Sequence, residues 1–275
     1  MSGGARVADR AAAADDYVAF CHGVRALADI DLLQYRRAQM ERRVRAFAGR
    51  RGHDGLGPYL SALRDDAGAL DDFLDRVTIN VSNLWRNPEQ WELLQHEVVP
   101  GLAARNRVGA AGELRAWSAG CSYGAEPYTL AAICRLAAPA ATATILGTDI
   151  DRRAVERARR GEFTSHDVRH APPAPLGRFF ELDGWHWRPT AELRAMVAFE
   201  VGDLLKLTPR PGAYDLVLCR NTVIYFKDEV RDALHARLAS ALRAGGVLVV
   251  GATERVSAAD RLGLELIAPY TYRKA

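Results

Sequence analysis

Residues 115–129 read RAWSAGCSYGAEPYT, and residues 145–151 read ILGTDID. This pairing constrains the chain more than anything else in it. An apolar run through Leu114, Ala116 and Trp117 enters a turn of small residues, Ser118, Ala119, Gly120 and Gly124, and a helix is expected to start near Pro127. Small residues at such a turn let the backbone approach a ligand closely and bend tightly into a helix. A second β-rich run, Ala143 to Thr148, ends in Asp149. In a Rossmann-type sheet, an acid at the tip of the second strand accepts hydrogen bonds from a ribose diol. The turn is not GxGxxG and no Walker lysine follows it, so nothing reads as a pyrophosphate cradle. A nucleoside-bearing cofactor without phosphates fits, which points to S-adenosylmethionine. The alternative for Asp149 is an N-cap for a helix at 151–159, a task open to Asp151 as well.

The rest of the chain sorts into two patterns. Residues 1–14 are small and alanine-rich without periodicity, and are expected to be disordered. Residues 15–76 read as helices only, with Asp15 capping one helix and Asp29 or Asp31 capping the next, which runs to about Arg50. Residues 77–88 form a polar, aromatic linker, and from 89 to 275 helix and strand alternate. Strands are expected at 113–118, 143–148, 214–219 and 247–251, and helices at 89–104, 125–137, 151–159 and 227–243. The near-continuous apolar run YDLVLC suits a buried parallel strand. Alternation on this scale argues for a doubly wound sheet. The rhythm breaks at 162–200, where a small antiparallel insert is expected.

Composition narrows the classes. No run approaches the roughly 18 apolar residues that span a bilayer, and the N-terminus lacks the apolar core of a secretion signal, so a cytoplasmic protein without membrane insertion is expected. The cysteines (Cys21, Cys121, Cys134, Cys219) are scattered with no CxxC pair, which gives a metal site no support. Net charge is only +3, and the basic residues are 34 Arg and 3 Lys.

With the motifs placed, the chain resembles the chemotaxis receptor methyltransferases, the CheR family, from about residue 15 to its end. TINVSNLWRNP, AWSAGCSYGAEPYTLA, GTDID, LCRNTVIYF and GATE stand in the family's order. Ala125 replaces the first Glu of the usual G-E-E-P, Ser82 stands for a Thr, and Leu84 and Trp85 replace two aromatics. The resemblance implies a helical N-terminal domain, then a Rossmann-like α/β methyltransferase domain with a small antiparallel β subdomain. It implies methyl transfer from S-adenosylmethionine, leaving S-adenosylhomocysteine, to glutamates in the cytoplasmic helical region of a methyl-accepting receptor. It also implies a cofactor set of Asn80, Ser82, Arg86, Gly120, Glu126, Asp149, Asp203, Leu204, Asn221 and Thr222. Glu126 would meet the methionine amino group and Asp203 the adenine; their plain alternatives are first-turn helix charge and a tight turn.

A glutamate acceptor is ionised at neutral pH, so catalysis should be mainly proximity and orientation. Arg86, which matches a family arginine beside cofactor and substrate, is the candidate for placing the carboxylate, with a domain-linking ion pair as the alternative. Tyr225 is the candidate for hydrogen bonding near the methyl group, with a buried core tyrosine as the alternative. Asn221, just past a buried strand, lies where ligands bind in open α/β sheets, or simply caps the strand.

YRRAQMERRVRAFAGRR places Leu33, Met40, Val44 and Phe47 on one stripe. Arg36, Arg43 and Arg50 recur every seven residues beside it, while Arg42 and Arg45 point away. Such a ladder suits an acidic receptor helix, or else a solvated face paired with Asp65, Asp66, Asp71, Asp72 and Asp75. No aromatics interleave, which argues against nucleic acid. In the insert, Trp185 and Trp187 alternate about His186 and are expected on one side of a strand, packing the subdomain onto the main sheet. The stretch is short, so no C-terminal pentapeptide tether is expected, and a monomer is. Two other readings stay open: a methyltransferase of this fold acting on a different protein, and a non-catalytic regulator that binds S-adenosylmethionine or S-adenosylhomocysteine.

Overall fold

The computed structural model describes residues 3–77, 82–108 and 111–275. The chain divides into a helical unit, residues 1–79 with 225–230, and an α/β unit, residues 80–224 with 231–275.

The helical unit holds α1 (Gly3–Ala28), α2 (Arg37–Arg50), α3 (Leu56–Asp65) and α4 (Ala67–Val77). α1 takes in residues 3–14, for which composition predicts disorder; alanine is the strongest helix former, and the run Ala11–Ala14 carries the helix through. Asp31 caps only a short 3-10 turn, accepting from the Leu33 amide at 3.0 Å, and α2 begins after Arg36. The core is an aromatic cluster: Phe20, Tyr59 and Phe73 meet with ring centroids 5.6–5.9 Å apart. Met40, Val44 and Phe47 of α2 are buried as their spacing predicts, whereas Leu33 stays half-buried beside a fully buried Leu32. Residues 225–230 join this unit through main-chain bonds, Arg36 N to Tyr225 O at 2.8 Å and Lys227 N to Gln34 O at 3.0 Å. The sequence reading places them wholly in the methyltransferase domain.

The α/β unit runs α5 (Pro88–Leu93), a π turn, α6 (Val99–Arg105), β1 (Arg107–Val108), β2 (Ala111–Ala119), α7 (Ala125–Ala137), β3 (Thr142–Asp149) and α8 (Arg152–Arg160). It continues with α9 (Pro173–Phe179), β4 (Phe180–Asp183), β5 (His186–Pro189), α10 (Ala191–Met196), β6 (Val197–Val201) and β7 (Tyr214–Cys219). After α11 (Asp228–Ala241), shared by both units, come β8 (Leu242–Val250), β9 (Leu264–Ala268) and β10 (Thr271–Lys274). The main sheet has the order β6-β3-β2-β7-β8-β10-β9, with β1 paired to β2. β6 through β8 are mutually parallel, and β10 and β9 close the sheet antiparallel. Strand order reverses between β2 and β7, and open α/β sheets bind ligands at the carboxyl ends flanking such a reversal.

The insert is smaller than expected. Only β4 and β5 form a separate antiparallel pair, and Val197–Val201 belongs to the main sheet as a parallel edge strand beside β3. A T-shaped chain of rings, Tyr128–Phe163–Phe180–Trp85, fixes the insert to the rest of the α/β unit. No described helix is long and apolar enough to cross a membrane.

Candidate functional site

Backbone strain gathers at the reversal. Trp85, Asn87, Ser122 and Asn221 take left-handed φ values of 50–60°, a region that costs a non-glycine residue about 1–3 kcal/mol and persists where surroundings over-determine it. Gly120 has φ +85°, and a Cβ there would lie 2.4 Å from Thr222 Oγ1. Glycine is thus required by both conformation and space where the loop after β2 meets the loop after β7. Gly124, the α7 N-cap, has φ +90°, and its added Cβ would strike Ala158 at 2.9 Å.

Asp149 ends β3 and is 9% exposed. One carboxylate oxygen accepts from the Ser122 amide at 2.7 Å and the other from the Asp151 amide at 3.0 Å. Burial pushes its carboxyl up to about 6, against the pull of those amides. Asp151, not Asp149, caps α8, accepting from Ala154 N at 3.0 Å. Each Asp149 oxygen keeps acceptor capacity for a further donor, the requirement for a ribose diol. The loop carrying Asp203 and Leu204 is tied to the same point by Gly202 N to Asp149 O at 2.8 Å. Asp203 closes its own turn, accepting from Leu205 N at 2.9 Å, and Leu204 is buried. The close-approach glycine, the buried acid and the Asp203 turn together fit a nucleoside.

Glu126 lies in the first turn of α7, 8% exposed. Its oxygens accept from Ser118 Oγ at 2.8 Å and from Arg220 Nη1 at 3.1 Å. Arg220, which the sequence reading did not single out, belongs to this cluster. It is 7% exposed, donates to Gln90 Oε1 (2.9 Å), the Arg86 carbonyl (2.6 Å) and Asn87 Oδ1 (3.2 Å), and sits over the Trp91 ring at 5.0 Å. Burial lowers its pKa, with Glu126 opposing. Its place in CRN, between a buried strand and Asn221, is a signal that could have found it: a charge there must be paired.

Arg86 is half-buried on the turn between Trp85 and Asn87, its carbonyl also accepting from Trp91 Nε1 at 2.9 Å. Just before it, the Ser82 carbonyl accepts from Tyr123 OH, and Leu84 N donates to Asp167 O at 2.9 Å. Asp167 also pairs with Arg157, whose guanidinium lies 3.9 Å over the Tyr123 ring. Although burial works against it, the Thr164 amide and the Arg157 charge hold the Asp167 carboxyl below its usual range. The Asn221 loop is braced by Glu254 of GATE, 3% exposed, which accepts from the amides of Gly251 (2.6 Å), Asn221 (2.9 Å) and Val223 (3.1 Å). Asn80 lies outside the described residues. Among those described, no three His, Cys, Asp or Glu side chains group as a metal site.

Arg36, Arg43 and Arg50 do line one cleft of the helical unit, about 640 Å³, and Tyr225 lines it with them. Arg42 lines it too, although the helical wheel points it away; the cleft spans more of the α2 surface than one stripe. Arg36 pairs with Asp228 at 2.9 Å and donates to the Phe226 carbonyl. Arg43 donates to the Arg76 carbonyl at 2.8 Å, and Arg50 lies over Phe47 at 4.6 Å. Among the described residues, Arg42, Arg43 and Arg50 form no ion pair; of the expected acidic partners, Asp72 pairs with Arg51 instead.

The comparisons match this arrangement over both units. Residues 15–78 match the CheR methyltransferase all-alpha domain, and residues 80–267 match the CheR methyltransferase SAM binding domain. The chain is 33% identical to a chemotaxis protein methyltransferase of Listeria innocua over 94% of its own length and 97% of the relative's. It is 31% identical to chemotaxis protein methyltransferase 1 of Pseudomonas aeruginosa, over 75% of this chain and 77% of that one. A chemotaxis protein methyltransferase of Borreliella burgdorferi is 26% identical over 89% of each. The chain belongs to the CheR methyltransferase family, with the family's all-alpha domain followed by its S-adenosylmethionine-binding domain.

Proposed function

We propose that this methyltransferase modifies glutamate side chains of chemotaxis receptors, acting in the cytoplasm as a monomer on the receptors' helical region. S-adenosylmethionine supplies an electrophilic methyl group carried on a sulfonium. Asp149 would accept from the ribose hydroxyls, Asp203 and Leu204 would frame the adenine, and Asn80, Ser82 and Glu126 would take the methionine end. Gly120, Asn221 and Thr222 would complete the walls. The acceptor carboxylate is already ionised at neutral pH, so no strong base is needed. Arg86 would orient it, by a charge-assisted contact whose fork matches a carboxylate. Tyr225 would hydrogen-bond on the acceptor side, a place supported by its position in the arginine cleft.

The observation that carries the acidic-protein reading is that cleft: four guanidinium groups, of which Arg36 alone is ion-paired among the described residues. Direct engagement through it would dispense with a pentapeptide tether, and the hairpin supports this, with β4 and β5 only four residues each. The test is radiolabelled methyl transfer from S-adenosylmethionine to receptor-containing membranes. Label released by mild base, and dependent on receptor, is expected of a glutamyl ester. Base-stable label, or label on membranes lacking receptor, would mean a different acceptor; S-adenosylhomocysteine binding without transfer would mean a regulator.

A further inference from the structure

We propose that Arg220 is a positioning residue for methyl transfer, holding the turn that presents Arg86 to the acceptor. The inference rests on the reading of Arg86 as the group that places the carboxylate. Arg220 leaves the end of β7 and spends its donors on three different elements. Nη2 reaches the Arg86 carbonyl and Asn87 Oδ1, Nη1 reaches Glu126 at the start of α7, and Nε reaches Gln90 on α5. Gln90 is itself anchored, donating to the Val250 carbonyl at the end of β8 at 2.9 Å. One planar side chain therefore references the Arg86 turn to the tips of β7 and β8 and to α7.

The turn needs such a reference. Arg86 stands between two non-glycine residues in left-handed conformation, Trp85 at φ 54° and Asn87 at φ 60°. Both are unfavourable unless held by their surroundings. Trp85 is held from one side, by burial and by its amide donating to Thr129 Oγ1 at 3.1 Å. Asn87 is held from the other by Arg220. A displacement of about 1 Å at a positioning group is enough to cost on the order of 100-fold in rate. A lysine cannot replace this guanidinium, because its three donors radiate from one point and cannot span the Arg86 carbonyl, Glu126 and Gln90 together. A buried pair serving the fold alone would need only the Glu126 contact, whereas half of the contacts here go to the Arg86 turn.

The test uses the full chain with four variants, Arg220→Lys, Asn87→Gly, Arg86→Ala and the Arg220→Lys/Arg86→Ala double. Asn87→Gly keeps the left-handed backbone and removes one of the four acceptors that Arg220 grips, the side-chain one on the Arg86 turn, so it serves if Arg220→Lys does not fold. Arg220→Lys is expected to lower kcat about 10- to 100-fold, with the affinity for S-adenosylhomocysteine, read by calorimetry, within about threefold. Asn87→Gly is expected to lower kcat in the same direction by less. The double variant is expected to be no slower than Arg86→Ala, because residues acting as a unit are non-additive. Losses that multiply, or a normal kcat beside a lowered melting temperature, would overturn the proposal while leaving Arg86 in its role. A normal kcat in Arg86→Ala would overturn the reading of Arg86 and this proposal with it.

Discussion

The two arginine-bearing regions are built in opposite ways. At the sheet reversal, Arg220 is buried and its donors meet Glu126, Gln90, Asn87 and a carbonyl, beside backbone held in left-handed conformations. In the helical unit, Arg42, Arg43 and Arg50 line an open cleft and rest against ring faces, a carbonyl and solvent. Buried charge must be paired within the protein, and Arg220 is so paired before any ligand arrives. Exposed charge carries no such demand, and the second region keeps its capacity for a partner. The first should therefore govern turnover and cofactor affinity steeply and with little salt dependence. The second should govern recognition weakly and with strong salt dependence.

The steepest test is Arg86→Ala. Turnover should fall about 100-fold, the cost of misplacing the acceptor, while calorimetry shows S-adenosylhomocysteine affinity nearly intact. Collapse of affinity with normal turnover at saturation would make Arg86 a cofactor ligand instead.

Asp149 gives a pH signature peculiar to the buried region. Its folded-state value of about 6 exceeds the ordinary 3.8, so between these values the folded protein holds the proton more tightly than the unfolded chain. The stability this contributes is full below about pH 4 and is lost as pH rises through 6. Cofactor affinity runs the other way, since a ribose diol needs the ionised acceptor. The dissociation constant for S-adenosylhomocysteine should rise by up to about tenfold per unit below pH 6. Asp149→Asn should weaken binding at pH 7.5, by about 1.5–3 kcal/mol for each charge-assisted bond lost, and flatten the profile. A flat wild-type profile from pH 5 to 7.5 would detach Asp149 from the ribose.

The contrast also explains what could be read in advance. Elements whose apolar runs are long and bounded were legible: strand β7 and helix α7 fall where 214–219 and 125–137 place them, because burial dictates an uninterrupted pattern. The positions of Asp149 at the end of β3 and of Gly120 in the turn after β2 were legible too, because an apolar run that ends in an acid and a run of small residues both mark strand ends. Glu254 was not, since a lone charge in a string gives no sign of being buried and paired, and for Arg220 the one sign is its place directly after a buried strand. β6 was lost inside the insert because VAFEV has no turn signal separating it from α10. Residues 225–230 look continuous with the strand–helix rhythm, yet pack with the helical unit through Tyr35 and Arg36; such long-range pairing leaves no periodic mark.

In the cleft, Arg42→Glu with Arg50→Glu should raise KM for receptor, by roughly up to fivefold per site, the range for exposed ion pairs. Among the described residues neither side chain pairs with a carboxylate, so the fold loses little; Arg36, tied to Asp228 and Phe226, is a poorer choice. Raising salt should reproduce the effect in the wild type, because exposed charges are screened beyond about 8 Å at physiological ionic strength. Salt-insensitive methylation with unchanged KM in the double variant would reduce the cleft to a solvated face and end the contrast.

The smallest effect is expected at the β4–β5 hairpin, where the sequence suggests that Trp185 and Trp187 share a side. They do not. Trp187 lies on β5, half-buried against the core, and exchanges main-chain bonds with Phe163 at 2.7 and 3.0 Å. Trp185 follows Gly184 (φ +61°) on the two-residue turn, off the strand, and is 89% exposed. Trp185→Ala should therefore shift stability by no more than about 0.5 kcal/mol, as exposed positions do, whereas Trp187→Ala should cost more, by opening space beside packed rings. If recognition runs through the arginine cleft alone, Trp185→Ala should also leave receptor KM within about twofold, and a free receptor-tail peptide should not compete with methylation. A KM that rises more in this variant than in Arg42→Glu/Arg50→Glu would move the main recognition surface from the helical unit to the hairpin.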